Sequence, residues 1–321
     1  MTIDPTSRHP HSVSQHRHRL LRRVGTFASY TALSLIALLF LFPFFWMVSN
    51  AVRSNAEVMA VPVRIFPEEY HWGTFVEALV SLPFGTFLLN SFVVACGVTA
   101  IVIAVSCLSA YAFARLRFPG REGLLLTYLS TLMIPQVMLV IPLFLIVSKF
   151  GWINTYHGMI LPVAFSSFGT FLLRQFILGI PKDLDEAAMM DGASRLRILV
   201  TVIIPLAMPA IGLLALFTFI AQWKSFLWPL IATSGVEMAT LPLGLTLFQT
   251  QQGTAWNYIM AGATISMVPV LPHPRVFPEN NAVASLGCSR MPHGLLRSCP
   301  RTWCKVTEVA KPLASAPSIA L

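Results

Sequence analysis

Long apolar runs alternate with polar stretches along most of this chain. Five of the runs carry no Asp, Glu, Lys or Arg deep inside them, and each is long enough to cross, or nearly cross, about 30 Å of hydrocarbon as a helix. We predict spanning helices over residues 25–48, 87–114, 124–147, 156–173 and 198–222. The pattern therefore predicts an all-α fold, a polytopic membrane protein built as a helical bundle.

A sixth apolar run begins at Trp256 and stops at Leu271, where Pro272 follows. As a helix this run is only about 24 Å long. We therefore expect six transmembrane helices with the sixth truncated, and an aberrant C-terminal tail over 272–321. Our hypothesis is that a change of reading frame near Leu271 replaced the end of helix six. Translating the encoding DNA in the other two frames tests it, because the lack of an apolar continuation would contradict it.

Composition and charge support a membrane location and suggest an orientation. Of the 321 residues 55% are hydrophobic and 11% are charged, against about 25% charged in an average soluble domain. The formal net charge is +9. Before residue 272, the arginines and lysines of the chain fall mainly in residues 1–23, 115–121 and 174–197. The other side receives only Arg53, Arg64, Lys149 and Lys224. By the positive-inside rule, residues 1–23 form a basic cytoplasmic tail, which we expect to be disordered, and residues 174–197 are also cytoplasmic.

Details of the runs predict how the helices bend and pack. Pro135 and Pro142 lie inside the third run, where each is expected to bend the helix. Ser106, Ala110 and Ala114 recur every four residues in the second run, a stripe that allows another helix to approach closely.

Two further features concern the membrane surface. Trp223, Phe226 and Trp228 follow the fifth run, where an interfacial aromatic belt is expected. A short surface helix is predicted over 72–80, in the loop after the first run.

The longest polar interruption among the later runs starts at Pro181. Asp183 is a suitable N-cap, and Glu186 three residues later completes a capping-box pattern, so we predict that a helix begins at Leu184. Gly192 is placed to end this helix in the left-handed conformation. A helix of about two turns is not stable alone in water, so it needs a surface to pack on.

This short helix has two kinds of side chain to offer. Its apolar face comprises Leu184, Ala187, Ala188 and Met190. Its carboxylates, expected to meet cationic groups of another protein, are Asp185, Glu186 and Asp191. The residues alone leave two interpretations open, a helix lying on lipid headgroups and a helix docking on a partner protein.

The sequence lacks the motifs of several chemistries. It contains no phosphate-binding loop of the G-x-x-x-x-G-K-[ST] type, no G-x-G-x-x-G and no H-E-x-x-H, so no enzymatic activity and no cofactor or metal site is predicted. No ionisable residue lies deep in the first five runs, which argues against a proton-coupled carrier. Sodium sites built from carbonyls would not show in the sequence. An ion-coupled secondary carrier and a non-transporting membrane scaffold thus stay as alternatives to a subunit of a larger transporter.

The stretch after Pro181 also resembles a known signature. Glu186-Ala187-Ala188, two further residues and Asp191-Gly192-Ala193, with Pro205 and Pro209 beyond, resemble the E-A-A-x-x-D-G-A signature of permease subunits of binding-protein-dependent ABC importers. Supporting stretches are residues 90–91, 111–120, 171–176, 226–229 and 241–245. The resemblance covers about 25–271 and is greatest to the six-helix carbohydrate-uptake branch, the shorter permease of maltose and glycerol-phosphate systems.

The chain departs from the family pattern in three places. Leu199 and Val202 stand where Phe and Ile are frequent, which is a conservative change. Lys224 stands where many relatives have Asn. The tail after Leu271 does not resemble the family, whose members commonly continue with a Leu- and Phe-rich helix.

The resemblance implies the ABC importer permease fold and a mechanism. A transmembrane permease domain over 24–271 would carry a cytoplasmic coupling loop over 179–198, and the loop's short helix would dock in a cleft of a separate ATPase. The residues implied in coupling to the ATPase are Glu186, Ala187, Ala188, Asp191, Gly192 and Ala193. Glu186 would meet a cationic or hydrogen-bonding group, the two alanines would permit close docking, and Gly192 would set the turn.

The resemblance also implies partners and a location. The partners are an ABC ATPase dimer, a second permease subunit, an extracytoplasmic solute-binding protein, a sugar substrate and membrane lipid, but no nucleic acid. ATP would be bound by the ATPase, so this chain would need no cofactor. The expected location is the bacterial inner membrane, with a cytoplasmic N-terminus. The residues that contact substrate stay unassigned; near the bends of helices three to five, Ser166, Ser167 and Thr170 fit either substrate contact or packing.

Overall fold

The computed structural model describes residues 12–270, except residues 63 and 251–252, and this part of the chain is mostly helical. The helices are α1 Ser12–Ala51, α2 Asn55–Val58, α3 Gly73–Ser81, α4 Phe84–Arg115, α5 Arg121–Ser130, α6 Val140–Lys149, α7 Tyr156–Ile160, α8 Ser167–Leu178, α9 Asp183–Met190, α10 Arg195–Ile198, α11 Ile204–Trp223, α12 Leu227–Ala232, α13 Leu241–Thr246 and α14 Trp256–Met267. A π-helical turn, Leu199–Ile203, joins α10 to α11. The strands β1 Gln249–Thr250 and β2 Gly253–Thr254 form an antiparallel hairpin in which Gln249 pairs with Thr254.

Three segments of the described chain are long and apolar enough to cross a membrane, namely Thr26–Ala51, Phe84–Arg115 and Arg195–Trp223. Two bent pairs of helices raise this number to five if each pair is one span. They are Arg121–Met133 with Gln136–Lys149, bent by 95°, and Tyr156–Val163 with Ser167–Leu178, bent by 49°. The sixth run forms α14, whose 12 residues are too few to cross about 30 Å of hydrocarbon. The all-α membrane fold is therefore confirmed, and the predicted tail 272–321 lies outside the described residues.

The first helix is longer than predicted. It starts at Ser12, so the expectation of a disordered tail as far as residue 23 is wrong for residues 12–23. Extending a helix that already exists adds one hydrogen bond for each residue fixed and avoids the unfavourable nucleation step, which is why the polar segment continues the apolar one. The remaining part of the predicted tail, residues 1–11, is not described by the structure.

The predicted bend in the third run is confirmed at Pro135 but not at Pro142. Ile134 has φ −83° and ψ 117°, and Pro135 has φ −58° and ψ 128°, because a residue before proline disfavours the helical conformation. Pro142 lies in the first turn of α6, where its missing N–H leaves no helical hydrogen bond unmade.

The fourth run, which we expected to form one helix over 156–173, is also interrupted. Residues 164–166 separate the turn after α7 from α8. The Ser166 hydroxyl accepts a hydrogen bond of 3.0 Å from the Gly169 amide, so Ser166 caps a new helix at this point.

Helix α4 is the centre of the bundle and packs against both α8 and α11. The predicted stripe of small residues is confirmed as a packing face, since Ser106, Ala110 and Ala114 are all buried. Gly169 of α8 lies so close that a Cβ there would come within 2.5 Å of Ser106 Oγ. This close approach lets α8 lie directly on α4.

Two polar residues near the start of α4 hold the chain that leads into α13. The Asn90 amide donates to the carbonyls of Glu237 (2.8 Å) and Ala239 (3.0 Å), and its oxygen accepts from the Tyr156 hydroxyl at 2.6 Å. The adjacent Ser91 hydroxyl accepts from the Leu241 amide at 2.7 Å. The segment 237–241 is therefore fixed to α4 through backbone groups.

The predicted aromatic belt is wrong for its two tryptophans. Trp223 and Trp228 are buried, and their indole N–H groups donate to the carbonyls of Ser266 (3.1 Å) and Gly158 (3.2 Å). Packing inside the bundle with a satisfied indole N–H replaces the expected interfacial position. The surface helix predicted over 72–80 is confirmed as α3.

Candidate coupling site

The short helix predicted after Pro181 is present as α9, but its N-terminus is built differently. Lys182 already has helical dihedral angles, φ −70° and ψ −22°, and no side chain caps the helix. The carbonyl of Lys182 accepts from the amides of Asp185 (2.9 Å) and Glu186 (3.1 Å). The predicted capping box is therefore wrong, because Asp183 is already part of the helix. The acidic residues of the first turn still favour the N-terminal end of the helix electrostatically.

The C-terminus of α9 agrees with the prediction for Gly192, whose φ of 79° is left-handed. The Gly192 amide donates to the Met189 carbonyl and the Ala193 amide to the Ala188 carbonyl, both at 3.0 Å, which is the Schellman pattern. No atom lies within 4 Å of the position that a Cβ would take on Gly192. Backbone conformation rather than lack of space therefore requires glycine here.

The signature residues divide into two groups by exposure. Glu186, Ala187, Asp191 and Gly192 are exposed, together with the apolar side chains of Leu184 (43%) and Met190 (88%). By contrast, the half-buried side chains of the loop pack against the main hydrophobic core; they are Ala188, Met189 and Ala193. One side of α9 is therefore seated on the bundle, and the other is free in this chain.

Asp185 does not belong to the exposed group, contrary to the prediction. It is buried, and its Oδ2 lies 2.7 Å from Nε of Arg115, the last residue of α4. The two side chains are 5% and 2% exposed. Nη2 of the same arginine donates to the Ile180 carbonyl at 2.8 Å. The cation that pairs with Asp185 thus comes from this chain rather than from a partner.

An open recess of about 630 Å³ lies beside α9. Its lining comprises Arg115, Leu116, Arg117, Phe118, Lys182, Asp185, Glu186, Met189 and Arg195. Asp185 and Arg115 are paired with each other. The charge of this surface therefore comes from the carboxylate of Glu186 and from three other cationic side chains, Arg117, Lys182 and Arg195.

No pattern in the sequence signals the role of Arg115. It stands among the basic residues after the second run, which indicate only the orientation of the chain. The structure pairs it with groups on a distant part of the chain, 65 residues away in the case of Ile180, and no local pattern connects two such positions.

The hydroxyls near the bends make contacts within the chain. Thr170 is buried, with its Oγ1 2.8 Å from Ser109 Oγ of α4, and Ser167 Oγ lies 2.7 Å from Thr131 Oγ1. Packing explains Thr170, whereas a substrate contact of Ser166 or Ser167 stays a prediction.

The fold is that of a membrane protein, a bundle of candidate membrane spans with a short, half-exposed helix between two of them. Residues 103–272 match the family described as "Binding-protein-dependent transport system inner membrane component", and the chain belongs to this family. It is therefore a multi-pass permease component of an inner-membrane transport system, which decides against the secondary carrier and the scaffold that the sequence left open. The match ends at residue 272, which is the first residue of the predicted tail.

Several relatives resemble most of the chain. The trehalose/maltose transport system permease protein MalG of Thermococcus litoralis is 36% identical over 240 residues, 74% of this chain and 86% of the relative. The sn-glycerol-3-phosphate transport system permease protein UgpE of Pectobacterium atrosepticum is 35% identical, with 72% and 85% covered. The sulfoquinovosyl glycerol transport system permease protein SmoH of Agrobacterium fabrum is 33% identical, with 75% and 85% covered.

A solved structure shares the fold. It is the crystal structure of a bacterial ABC transporter involved in the import of the acidic polysaccharide alginate, and one of its chains superposes with a TM-score of 0.68 at 24% identity. The alignment covers 83% of this chain and 96% of that chain. The ABC importer permease fold is confirmed.

Proposed function

We propose that this chain is the permease subunit of an ATP-driven importer for a carbohydrate or sugar derivative, and that α9 couples it to a separate ATPase. The observation that carries the proposal is the exposed face of α9, on which Glu186, Ala187, Asp191 and Gly192 of the signature lie. The names of three relatives specify trehalose and maltose, glycerol 3-phosphate and sulfoquinovosyl glycerol. These solutes are all polyhydroxylated, which supports a carbohydrate or a derivative as the substrate class.

The proposed assembly contains an ATPase dimer, a second permease subunit and an extracytoplasmic solute-binding protein. ATP is bound by the ATPase, in keeping with the lack of a phosphate-loop motif in this sequence. The basic residues of the N-terminal segment and of the loop containing α9 support a cytoplasmic position for both. In the described chain none of the apolar window in Thr26–Ala51 is buried, so lipid or the second permease covers this helix in the assembly.

Docking on the ATPase uses the exposed side of α9. Leu184 and Met190 provide apolar contact area, and the small Ala187 lets the helix approach the cleft closely. Glu186 meets a cationic or hydrogen-bonding group of the ATPase. Gly192 ends the helix so that the chain can turn back towards α11, while Ala188 and Ala193 keep the helix seated on the bundle.

The proposal is tested by co-expressing the full chain with the neighbouring permease, ATPase and binding-protein genes. The complex is purified through the ATPase, and ATP hydrolysis is measured with and without the loaded binding protein. We expect a stable complex with stimulated hydrolysis. Recovery of the ATPase without this chain, both for the chain as written and with helix six restored from another reading frame, would contradict the proposal.

Two substitutions test the docking face itself. Glu186→Lys reverses the charge offered to the cleft, and Gly192→Pro is incompatible with a φ of 79°, because proline holds φ near −65°. We expect both variants to insert in the membrane at normal levels and to abolish transport, with about tenfold or more loss of stimulated hydrolysis, since about 1.4 kcal/mol of lost docking energy corresponds to that factor.

The matched control is Glu122→Lys, which reverses another exposed carboxylate, 66% exposed, at the start of α5. This variant should transport normally. Normal transport by Glu186→Lys and Gly192→Pro would refute the coupling role of α9.

The tail after Leu271 does not resemble the family. We retain the hypothesis that a change of reading frame produced it, which the end of the family match at residue 272 supports. Sequencing the encoding DNA and translating the other two frames should reveal an apolar continuation of helix six.

A further inference from the structure

We infer that the buried pair of Arg115 and Asp185 transmits movement of the coupling helix α9 to the central helix α4. The pair thereby sets how much solute is imported for each ATP hydrolysed. This inference rests on the proposed function and assigns a positioning role to two residues that do not face the ATPase.

The contact of Arg115 joins the end of α4 to the coupling loop. Arg115 is the last residue of α4, and its guanidinium group reaches two points of the coupling loop. It donates to the Ile180 carbonyl at 2.8 Å, just before α9, and lies 2.7 Å from the Asp185 carboxylate in the first turn of α9. Two attachment points on one rigid, planar group fix direction as well as distance. The end of α4 therefore follows the first turn of α9 when that turn moves.

The other connections of α9 run through the backbone. The backbone joins α9 to α8 through residues 179–182 and to α11 through residues 191–203. Both routes are covalent and survive any side-chain substitution. Helix α4 is not adjacent to α9 in the chain, so its link to α9 depends on side chains, and Arg115 supplies the ion pair in that link. Loss of the pair leaves α9 joined to α8 and α11 by the backbone but removes its ion pair with α4.

Helix α4 also contacts the two helices to which the backbone joins α9. It packs on both α8 and α11, with close contacts such as the 2.8 Å contact of Ser109 with Thr170. If α4 moves with α9, the three helices move together. If α4 does not move with α9, α8 and α11 slide past it. ATP is then hydrolysed although the bundle does not complete the conformational change that carries the solute across.

A purely static role is the alternative, in which the pair only holds the loop on the bundle. Burial alone cannot distinguish the two roles, because a buried ion pair is weak support for a net gain in stability. The test therefore compares the amount of complex, the rate of ATP hydrolysis and the solute taken up per ATP.

The main variant is the double substitution Arg115→Gln with Asp185→Asn. It places neutral amides at both positions and leaves no unpaired buried charge, so the chain can still fold. Asp185→Glu keeps the ion pair and serves as the conservative rescue. The matched control is Arg121→Gln with Glu122→Gln, which removes an ion pair of the same two charges at the start of α5, where the side chains are 30% and 66% exposed.

The full complex is reconstituted in proteoliposomes, with maltose and glycerol 3-phosphate as the two transport probes. We expect the neutral double variant to assemble normally and to hydrolyse ATP at about the wild-type rate. Its uptake per ATP should fall about tenfold, within the usual range of coupling effects. Asp185→Glu and the exposed control should keep the wild-type ratio.

A second readout needs no transported solute. ATP binding should change the hydrogen exchange of residues 111–115 in the wild-type complex, and this change should disappear in the neutral double variant. An unchanged uptake ratio and an unchanged exchange response would overturn the inference. So would a fall in the amount of complex with both of those quantities preserved, because that result defines a static role. If the proposed function is wrong, the wild-type complex itself does not respond to ATP. This result is distinct from a failure of the inference, in which the wild-type complex responds and the neutral double variant responds in the same way.

Discussion

Arg53 and Arg115 both have buried side chains, but the two arginines, near the ends of two different helices, bind different kinds of partner. Arg53 is 1% exposed and follows the end of α1. Its partners are close in sequence, with hydrogen bonds to Ser49 (3.3 Å), Asn50 (3.3 Å) and the Ile65 carbonyl (2.8 Å). The only carboxylate that the structure pairs with it among the described residues, Glu57, is 3.9 Å away. Arg53 therefore closes a local loop.

The Arg115 side chain is 2% exposed, as is that of Arg53, but it reaches a distant part of the chain. Its carboxylate partner is in close contact, and both groups that it binds belong to the segment after α8. The difference teaches that burial of an arginine does not specify its role, whereas the sequence distance and charge of its partners do. One side chain stabilises a loop, and the other joins two elements that move in the proposed mechanism.

The largest effect on stability is expected from truncating each arginine. Arg115→Ala leaves the Asp185 carboxylate buried and unpaired, which costs about 3–5 kcal/mol. Arg53→Ala leaves mainly neutral acceptors unpaired, so we expect about 1–3 kcal/mol. Loss of monodisperse protein in detergent on heating measures both. Arg117→Ala, an exposed substitution, is the control, and equal losses for Arg53→Ala and Arg115→Ala would contradict the comparison.

A smaller effect is expected at two left-handed positions. Gly192 in the coupling loop has φ 79°, and Asn154, in the loop between α6 and α7, has φ 62°. Gly192→Ala should destabilise its loop by about 1–2 kcal/mol, since alanine is strained at positive φ. Asn154→Gly should cost less than Gly192→Ala, because glycine accepts this conformation and, among the described residues, the change removes only the 3.4 Å hydrogen bond from the Ser234 amide to Asn154 Oδ1.

Hydrogen exchange of the amides on either side of each position measures these two changes. Gly192→Asn should fall between wild type and Gly192→Ala, because asparagine tolerates the left-handed region. An unchanged exchange rate in Gly192→Ala would mean that the end of α9 does not depend on glycine.

The smallest effect is expected at two matched helix caps. Ser54 Oγ accepts from the Glu57 amide at 3.2 Å at the start of α2, and Ser194 Oγ accepts from the Arg197 amide at 3.4 Å at the start of α10. Ser54→Ala and Ser194→Ala should each cost about 1 kcal/mol. Only Ser194→Ala lies in the coupling loop, so it alone should lower stimulated ATP hydrolysis. A similar loss in both variants would show that cap stability rather than location matters.

The spanning segments and the end of α9 at Gly192 could be predicted because they depend on local patterns of apolar residues and on a residue with a special backbone preference. The capping box failed because Lys182 also adopts helical angles, which the side chains of Asp183 and Glu186 do not reveal. Pro142 failed to bend its helix because the break at Pro135 moved it into a first turn. The pair of Arg115 and Asp185 was not predictable, since it depends on how α4 and α9 meet in three dimensions.

The π-helical turn Leu199–Ile203 between α10 and α11 affects how changes in chain length are accommodated at this point. Such a turn holds one residue more than regular α-helical winding and leaves the helix on each side in phase. A chain one residue shorter at this point would therefore form a continuous α-helix, with α10 and α11 presenting the same faces. The coupling loop and the span that follows it can tolerate a single-residue deletion here, whereas the same deletion within α4 would rotate the face bearing Arg115 by about 100°.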